Sequence, residues 1–270
     1  MSVTAGRAAA ASAAPFAPAG PLPLWEVLGR TRATLCAIVF EALRTARARG
    51  LTEEERFGHR ALASHRVAGR LVELNGLRMT LSGELPKRPS VLVANHLSYW
   101  DPVLLGALLP MAAIAKSELA SWPLLGRCGE ALGTLYVQRG NVHHSARVLR
   151  QALRRLVAGV HVLNFPEGTT TDGTQVLAFR RGIFGVAARA GVPVVPVALR
   201  LWPNDAAWLG GEPFVPHYTR HWRRGGYVEA SVRFGRPLQP RDFATPEACA
   251  AEARARVAAL LGGQASRAKS

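Results

Sequence analysis

His96 and Asp101, a histidine and an aspartate five residues apart, are the first pair of side chains in this sequence that could carry out chemistry. His96 follows a short apolar run at residues 91–94, and Asp101 precedes Pro102, which favours the first turn of a helix. If the turn between them brings the two side chains together, the carboxylate can orient the imidazole as a general base towards a hydroxyl group. Alternatively, Asp101 only caps the helix and His96 is a hydrogen-bonded loop residue. These two residues alone leave both interpretations open.

A second polar loop, Asn-Phe-Pro-Glu-Gly-Thr-Thr at residues 164–170, follows another apolar run at residues 160–163. Glu167 supplies a carboxylate, Gly168 allows close approach of the backbone, and Thr169 supplies a hydroxyl. In isolation this sequence would be an ordinary turn. Its place at the end of a second predicted strand makes it a candidate for binding the polar head of a substrate.

Two basic residues also stand at the ends of predicted strands. Arg139 follows the apolar segment 134–138, and its guanidinium would suit bidentate recognition of a phosphate or carboxylate. Lys116 closes the segment 112–115 and could add a second positive charge for the same anion. Each of these residues taken alone could equally be a surface charge.

The elements that must position these residues follow from the spacing of apolar side chains. Alternating or continuous apolar runs predict strands at residues 91–94, 112–115, 134–138, 160–165, 192–199 and 228–234. Helical spacing predicts helices at residues 24–43, 101–109, 145–158 and 245–262. Strands and helices in alternation predict an α/β fold with a mixed, largely parallel sheet flanked by helices. Sites in such sheets lie in the loops beyond the strand ends.

The chain ends and the domain division are predicted from composition. Residues 1–23 are rich in Ala, Pro and Gly and predict a flexible leader, followed by an amphipathic helical region at 24–60. One large domain is expected at 61–262, with a flexible tail at 263–270. Charged residues within 24–43 argue against a membrane-spanning helix. Its apolar face predicts either association with an anionic membrane surface or packing on the protein's own core, and both remain open.

The composition narrows the class of partner. Apolar residues form 49% of the chain and charged residues 19%, which indicates a globular protein with apolar surface and not a disordered chain. The formal net charge of +16 favours an anionic partner such as an anionic lipid, a nucleic acid or an acidic carrier. The three cysteines are far apart and match no zinc or disulfide spacing, so neither a structural metal nor export is expected.

Other functional classes receive little support from the sequence. Ser98 lies near His96, but no serine occupies the Gly-x-Ser-x-Gly turn of a hydrolase. Neither a phosphate-binding glycine motif nor a nucleic-acid-binding motif occurs. His217 and His221 could bind a metal from one helix face, but the neighbouring prolines and glycines predict a loop with surface histidines. A non-catalytic lipid-binding protein is a further alternative, although it would not need both His96 and Asp101.

Taken in order, four segments of this chain resemble the glycerolipid acyltransferase family, which contains the lysophosphatidic acid acyltransferases. The resemblance covers residues 65–237. Its blocks are Asn-His-x4-Asp at Asn95, His96 and Asp101; Gly-x-aliphatic-aromatic-aliphatic-x-Arg from Gly133 to Arg139; Phe-Pro-Glu-Gly-Thr from Phe165 and Pro166 to Thr169; and Val-Pro-x-x-Pro-aliphatic with Val192, Pro193, Pro196 and Val197.

The resemblance implies an acyltransferase domain at 61–262 with a fold similar to glycerol-3-phosphate acyltransferase. It implies that His96 deprotonates the acceptor hydroxyl and that Asp101 orients His96. It also implies that Arg139 and Lys116 hold the acceptor's anion, while Glu167, Gly168 and Thr169 position the acceptor. The implied co-substrates are a lysophospholipid and acyl-CoA or acyl carrier protein at the cytoplasmic face of the membrane. No cofactor, metal or nucleic acid is implied.

The sequence departs from the family pattern after Thr169. Many members that accept a phosphate-bearing lipid have an arginine next, whereas this chain continues Thr-Thr-Asp-Gly at residues 170–173. That continuation is similar to members acting on lyso-ornithine lipids. Two acceptors are therefore expected as alternatives: 1-acyl-glycerol-3-phosphate, which would give phosphatidic acid, and lyso-ornithine lipid.

Overall fold

The sheet at the centre of the fold has seven strands, in the order β1-β7-β6-β2-β5-β3-β4. The computed structural model describes residues 20–138, 140–209, 211–223 and 225–262. The strands are β1 (Leu77–Ser82), β2 (Val91–Ala94), β3 (Met111–Lys116), β4 (Leu135–Val137), β5 (His161–Asn164), β6 (Val194–Trp202) and β7 (Val228–Phe234). All neighbouring pairs are parallel except β6 and β7. This confirms the predicted mixed, largely parallel sheet.

Helices cover both faces of the sheet. They are α1 (Leu24–Arg47), α2 (Glu53–Leu74), α3 (Trp100–Leu108), α4 (Leu125–Ala131), α5 (Val142–Val157), α6 (Gly182–Ala190), α7 (Phe214–Arg223) and α8 (Pro246–Gly262). Strand β2 is therefore buried on both sides: Val91 and Val93 point into the apolar cluster formed with α5, α6 and α8, whereas Leu92 and Ala94 point into the cluster formed with α3.

The sheet order explains how distant loops reach one place. Strands β2, β5, β3 and β4 are adjacent and parallel, so the segments that follow them leave the same edge of the sheet. These segments begin with Asn95, Phe165, Ser117 and Gln138. The topology therefore brings the polar loops identified in the sequence to a common edge.

The N-terminal helix packs with one face and exposes another. On α1, Ala42 belongs to an apolar cluster with Val67 of α2 and Cys128 of α4. Trp25 and Phe40 on the same helix are 74% and 67% exposed. Within the described residues, no helix is both long and apolar enough to cross a membrane.

Residues 1–19 of the predicted leader and the tail at 263–270 lie outside the described residues. The proposed division at residue 60 falls within α2, which runs continuously from Glu53 to Leu74. The expectation of a loop with surface histidines at His217 and His221 is wrong, because both residues are buried on α7.

Candidate active site

His96 and Asp101 are in direct contact. The Nδ1–H of His96 donates to Asp101 Oδ2 over 2.8 Å, and the backbone amides of Leu97 and Ser98 donate to the same oxygen over 2.6 and 2.9 Å. Asp101 is fully buried. Three donors converging on one carboxylate oxygen fold the turn so that residues five apart meet.

Asp101 is not the N-cap of its helix. It lies in the first turn of α3, which begins at Trp100 and has no side-chain cap. Its carboxylate turns back towards the preceding loop instead, because the amides of Leu97 and Ser98 bind it there. The interpretation that Asp101 only caps its helix is therefore wrong. Its carboxylate instead binds His96 and the loop that carries it.

The bond to Asp101 fixes the tautomer of His96. With the proton on Nδ1, the lone pair of the neutral ring is on Nε2, which has no hydrogen-bond partner among the described residues. The imidazole also stacks on the ring of Phe165, with the centroids 4.0 Å apart. Orientation by a carboxylate and an aromatic ring leaves a fixed Nε2 that can accept a proton.

Asn95 anchors the start of this loop to the sheet. Its side-chain amide donates to the carbonyl oxygen of Leu199 on β6 over 2.9 Å and accepts from the Leu199 amide over 2.8 Å. Asn95 is buried, so both polar ends of its side chain are satisfied within the protein. The residue holds the end of β2 in place.

The second polar loop is tied to the first. The backbone amide of Thr171 donates to the carbonyl oxygen of His96 over 2.8 Å, and Phe165 supplies the stacked ring. Gly168 has a φ of +79°, a left-handed backbone conformation that would be strained for a residue with a side chain. The two loops therefore form one local structure at the edge of the sheet.

Glu167 is buried beneath this loop. Burial raises the pKa of its carboxyl to about 7, which outweighs the lowering effect of the nearby amides of Leu177 and His96. Neither of those amides forms a hydrogen bond of normal geometry to Glu167, so neither of its carboxylate oxygens has a partner within the described residues. The side chain lies behind the cavity and is not part of its lining.

A cavity of about 560 Å³ opens beside His96. Its polar part contains Lys116, Thr169 and Thr170, and much of the remaining wall is apolar. The apolar and aromatic lining residues are Tyr99, Pro102, Ala113, Ile114, Ala115, Leu119, Trp122, Val137, Val148, Leu149, Phe165, Pro166 and Trp208. A site of this size and polarity can hold an aliphatic chain with a polar end.

The predicted site residues are partly brought together. His96, Lys116, Phe165, Pro166, Gly168 and Thr169 line the cavity. Asn95, Asp101 and Glu167 are buried behind it. Pro196 lies within β6 opposite Val93 of β2 and does not line the cavity. Arg139 lies outside the described residues.

Lys116 reaches the cavity but already has an acidic partner. Its ammonium lies 2.9 Å from a carboxylate oxygen of Glu118, and the side chains are 46% and 61% exposed. An ion pair this exposed is weak, so the ammonium can exchange that partner for a ligand at little cost.

Sequence reasoning missed the aromatic wall of the cavity. Tyr99 packs edge-on against Trp208 and Phe214, which belong to the segment between β6 and β7. The Tyr99 hydroxyl donates to His217 Nδ1 over 3.0 Å, while His217 donates from Nε2 to the carbonyl oxygen of Ala207 over 3.1 Å. The contacts of Tyr99 with Trp208, Phe214 and His217 join residues more than 100 positions apart, and no local pattern in the sequence indicated them.

The geometry supports general-base chemistry and not a serine nucleophile. Ser98 is fully buried, and its Oγ has no hydrogen-bond partner in the described part of the chain. His96 instead presents Nε2 at a cavity large enough for a separate hydroxyl-bearing substrate. Within the described ranges, no group of three His, Cys, Asp or Glu side chains is arranged to hold a metal ion.

Comparison with known proteins identifies similar sequences. A family model described as Acyltransferase matches residues 76–200. A lyso-ornithine lipid O-acyltransferase of Pseudomonas aeruginosa is 38% identical over 52% of this chain and 56% of its own length, little more than half of that relative. The protein of the same name in Brucella abortus is 33% identical over 73% of this chain and 79% of its own length.

A solved structure has the same fold. The crystal structure of the 1-acyl-sn-glycerophosphate (LPA) acyltransferase PlsC from Thermotoga maritima superposes with a TM-score of 0.66. The match covers 89% of this chain and 95% of that one at 23% sequence identity. This likeness shows a shared α/β architecture.

Proposed function

The chain belongs to the acyltransferase family, and on that premise we propose that it transfers a fatty acyl group from a thioester to the free hydroxyl of a lysophospholipid-type acceptor. The observation that carries this proposal is the contact of His96 Nδ1 with buried Asp101 at the wall of a largely apolar cavity. That arrangement supplies a base and a place for a lipid chain side by side.

The proposed reaction needs one base and no covalent enzyme intermediate. His96 Nε2 takes the proton of the acceptor hydroxyl while the hydroxyl oxygen attacks the thioester carbonyl carbon. The tetrahedral intermediate then collapses, the carbon–sulfur bond breaks, and the leaving thiolate takes the proton from the imidazolium. An ester and a free thiol result. Asp101 holds the ring in the productive tautomer throughout.

The two substrates are proposed to divide the cavity by polarity. The apolar wall from β3, β4 and α5, including Ile114, Val137 and Leu149, suits an acyl chain. The polar lining residues, including Thr169 and Lys116, suit the acceptor's head group. Gly168 lets the backbone of this loop approach the acceptor, and Glu167 supports the loop from behind.

We also propose, from its position in the sequence, that Arg139 binds the acceptor's anion. It follows β4, whose neighbour β3 ends at Lys116 on the same edge of the sheet. A guanidinium at that edge would add a bidentate donor for the acceptor's anion.

The first candidate acceptor is 1-acyl-glycerol-3-phosphate, which acylation would convert to phosphatidic acid. The order of the four sequence blocks supports it, since these blocks resemble the lysophosphatidic acid acyltransferases. The second candidate is lyso-ornithine lipid. Thr170, where an arginine would favour a phosphate, and the names of the two relatives support this acceptor.

The donor and location belong to the same proposal. Acyl-CoA and acyl carrier protein are both acidic, and the chain's net charge of +16 suits either as co-substrate, with no further cofactor. The exposed apolar face of α1 supports peripheral or monotopic attachment to an anionic membrane at its cytoplasmic face. The basic surface is proposed to serve lipid and donor and not nucleic acid.

One assay tests this function. Full-length protein would be incubated with labelled acyl-CoA or acyl carrier protein and a panel containing lysophosphatidic acid, lyso-ornithine lipid and other lysophospholipids. We expect a labelled diacyl product from one acidic acceptor, and its identity would name the substrate. Absence of acyl transfer to every acceptor with both donors would contradict the proposal.

A further inference from the structure

Arg180 is a cavity residue that the sequence blocks do not include. It lies between β5 and α6, and it is the one arginine that lines the cavity among the described residues. Thr169 and Thr170 supply hydroxyls beside it but no charge. A cation therefore stands next to the loop that contacts His96.

Backbone and side chain both fix Arg180 against that loop. Its amide donates to the carbonyl oxygen of Pro166 over 3.0 Å. Its guanidinium lies directly over Gly168, because a Cβ placed on that glycine would be only 2.9 Å from Arg180 Cζ and Nε. Phe165, the residue before Pro166, stacks on the His96 ring. Arg180 is thus connected to the general base through a single short loop.

Among the described residues, the charge of Arg180 has no acidic partner. It makes no ion pair with any residue in the described ranges, whereas neighbouring Arg181 is paired with Glu247 and Lys116 with Glu118. An arginine is charged at every accessible pH and offers five donors in a planar fork that matches a phosphate or carboxylate.

We propose that Arg180 binds the anionic group of the acceptor's head and so selects lysolipids that carry a phosphate or carboxylate over those that carry neither. This inference rests on the proposed function. The acceptor hydroxyl must reach His96, and the phosphate or amino-acid carboxylate of the head is only a few bonds from it. The phosphates of acyl-CoA are separated from the thioester by the long pantetheine arm, so the acceptor's anion is the one that lies near this loop.

The test compares Arg180→Gln and Arg180→Lys with Arg181→Gln, which removes the same charge one residue away. Each full-length protein would be assayed with lysophosphatidic acid, lyso-ornithine lipid and neutral monoacylglycerol. We expect R180Q to raise the KM for the acidic acceptor about 10- to 100-fold, with the donor KM unchanged. R180K should recover part of this loss, and R181Q should remain within about twofold of the parent protein.

A second measurement does not depend on turnover. Trp122 and Trp208 line the cavity, so their fluorescence can report titration with lysophosphatidic acid or monoacylglycerol. If R180Q loses the preference for lysophosphatidic acid and R181Q keeps it, the inference is supported. This holds even if no acyl transfer is found, in which case only the proposed reaction fails. Equal responses of R180Q and R181Q, an equal penalty with monoacylglycerol, or an effect confined to the donor KM would overturn it.

Discussion

At the scale of single residues, the central feature is that one carboxylate oxygen organises the loop that carries His96. Asp101 Oδ2 accepts from His96 and from the amides of Leu97 and Ser98. The side chain thus positions the imidazole that we propose as the base and stabilises the turn that carries it. The amides of Leu97 and Ser98 would still bind Asp101 Oδ2 after loss of the imidazole, so the turn keeps two of its three hydrogen bonds in a His96 variant.

The role of His96 can be tested by replacing it with alanine. We expect His96→Ala to lower kcat by roughly 10²- to 10⁴-fold, because the acceptor hydroxyl would lose its general base. Initial rates with saturating donor and acceptor would measure the effect, and circular dichroism would check the fold. His143→Ala, at an exposed position on α5, is the matched control. Near-normal turnover in a folded H96A protein would reject the assignment.

Glu167 predicts a pH dependence of stability. Its folded-state pKa of about 7 lies above the ordinary value of 4.5, so the folded protein keeps this proton more tightly than the unfolded chain. Its contribution to stability is present below pH 4.5 and is lost as the pH rises through 7, by about 3 kcal/mol in total.

Glu167→Gln should remove that loss. We expect the free energy of unfolding of E167Q, relative to the parent protein, to increase by about 3 kcal/mol between pH 4.5 and pH 8. Urea unfolding at several pH values would measure the difference. Parallel pH curves for the two proteins would mean that the carboxyl ionises normally.

At the scale of elements, α7 shows how a segment outside the main sheet pattern shapes the site. His217 on this helix binds Tyr99 of the cavity wall, and His221 donates from Nε2 to the carbonyl oxygen of Asn75, which follows α2. Burial lowers the pKa of His221 to about 4, so the folded state holds this ring neutral. The helix therefore links the cavity to the N-terminal helices.

This burial predicts a loss of stability in acid. The unfolded state binds a proton at His221 below its ordinary pKa of 6.5, so its contribution to stability falls between pH 6.5 and 4 by up to about 3 kcal/mol. His221→Gln retains a donor near Asn75 and cannot titrate. We expect H221Q to lose less stability than the parent protein in urea unfolding at pH 4.5 against pH 7. His143→Gln, which is exposed, should not differ from the parent.

Elements were predictable where a local pattern was strong. The alternation at residues 228–234 gives the full extent of β7, and the runs at 91–94 and 160–165 correspond to β2 and β5. The predicted helical region at 24–60 covered only the first part of α2, although Thr52 and Glu55 form a capping box that marks the start of a separate helix. The sequence analysis also missed β1, whose residues pair with β7 about 150 positions later, because strand pairing at that separation leaves no local pattern.

At the scale of the whole molecule, α1 exposes large apolar side chains along its length. These exposed residues are Leu24, Trp25, Leu28, Leu35, Phe40 and Leu43. The opposite side of the helix packs on α2 and α4, so deletion of α1 would uncover their apolar cluster. Both sequence-based expectations for this segment are therefore compatible with one helix: it packs on the protein and leaves apolar surface that we propose contacts a membrane.

Substitution tests the membrane contact without removing the helix. We expect the double change Trp25→Ser and Leu28→Ser to weaken binding to anionic vesicles by at least about tenfold, because each large exposed side chain would otherwise be buried in the lipid. Vesicle flotation would measure the fraction of protein bound to the vesicles. The melting temperature should not change, since both side chains are exposed. Val157→Ser, 70% exposed on α5, is the control, and equal flotation of all proteins would exclude α1 as the contact.

The sequence by itself determined the α/β class and the meeting of the loops after β2 and β5. These follow from apolar periodicity and from the rule that parallel strands end at one edge of a sheet, and both are local or topological properties. The residues between His96 and Asp101 left their contact open, and only the family resemblance implied it before the structure showed it. The tertiary structure alone decided that Glu167 lies behind the cavity, that Arg180 faces Gly168 and that α7 closes the aromatic wall. Such outcomes depend on which side chains from distant segments fill the same space, and packing of that kind is set by three-dimensional volume and not by spacing along the chain.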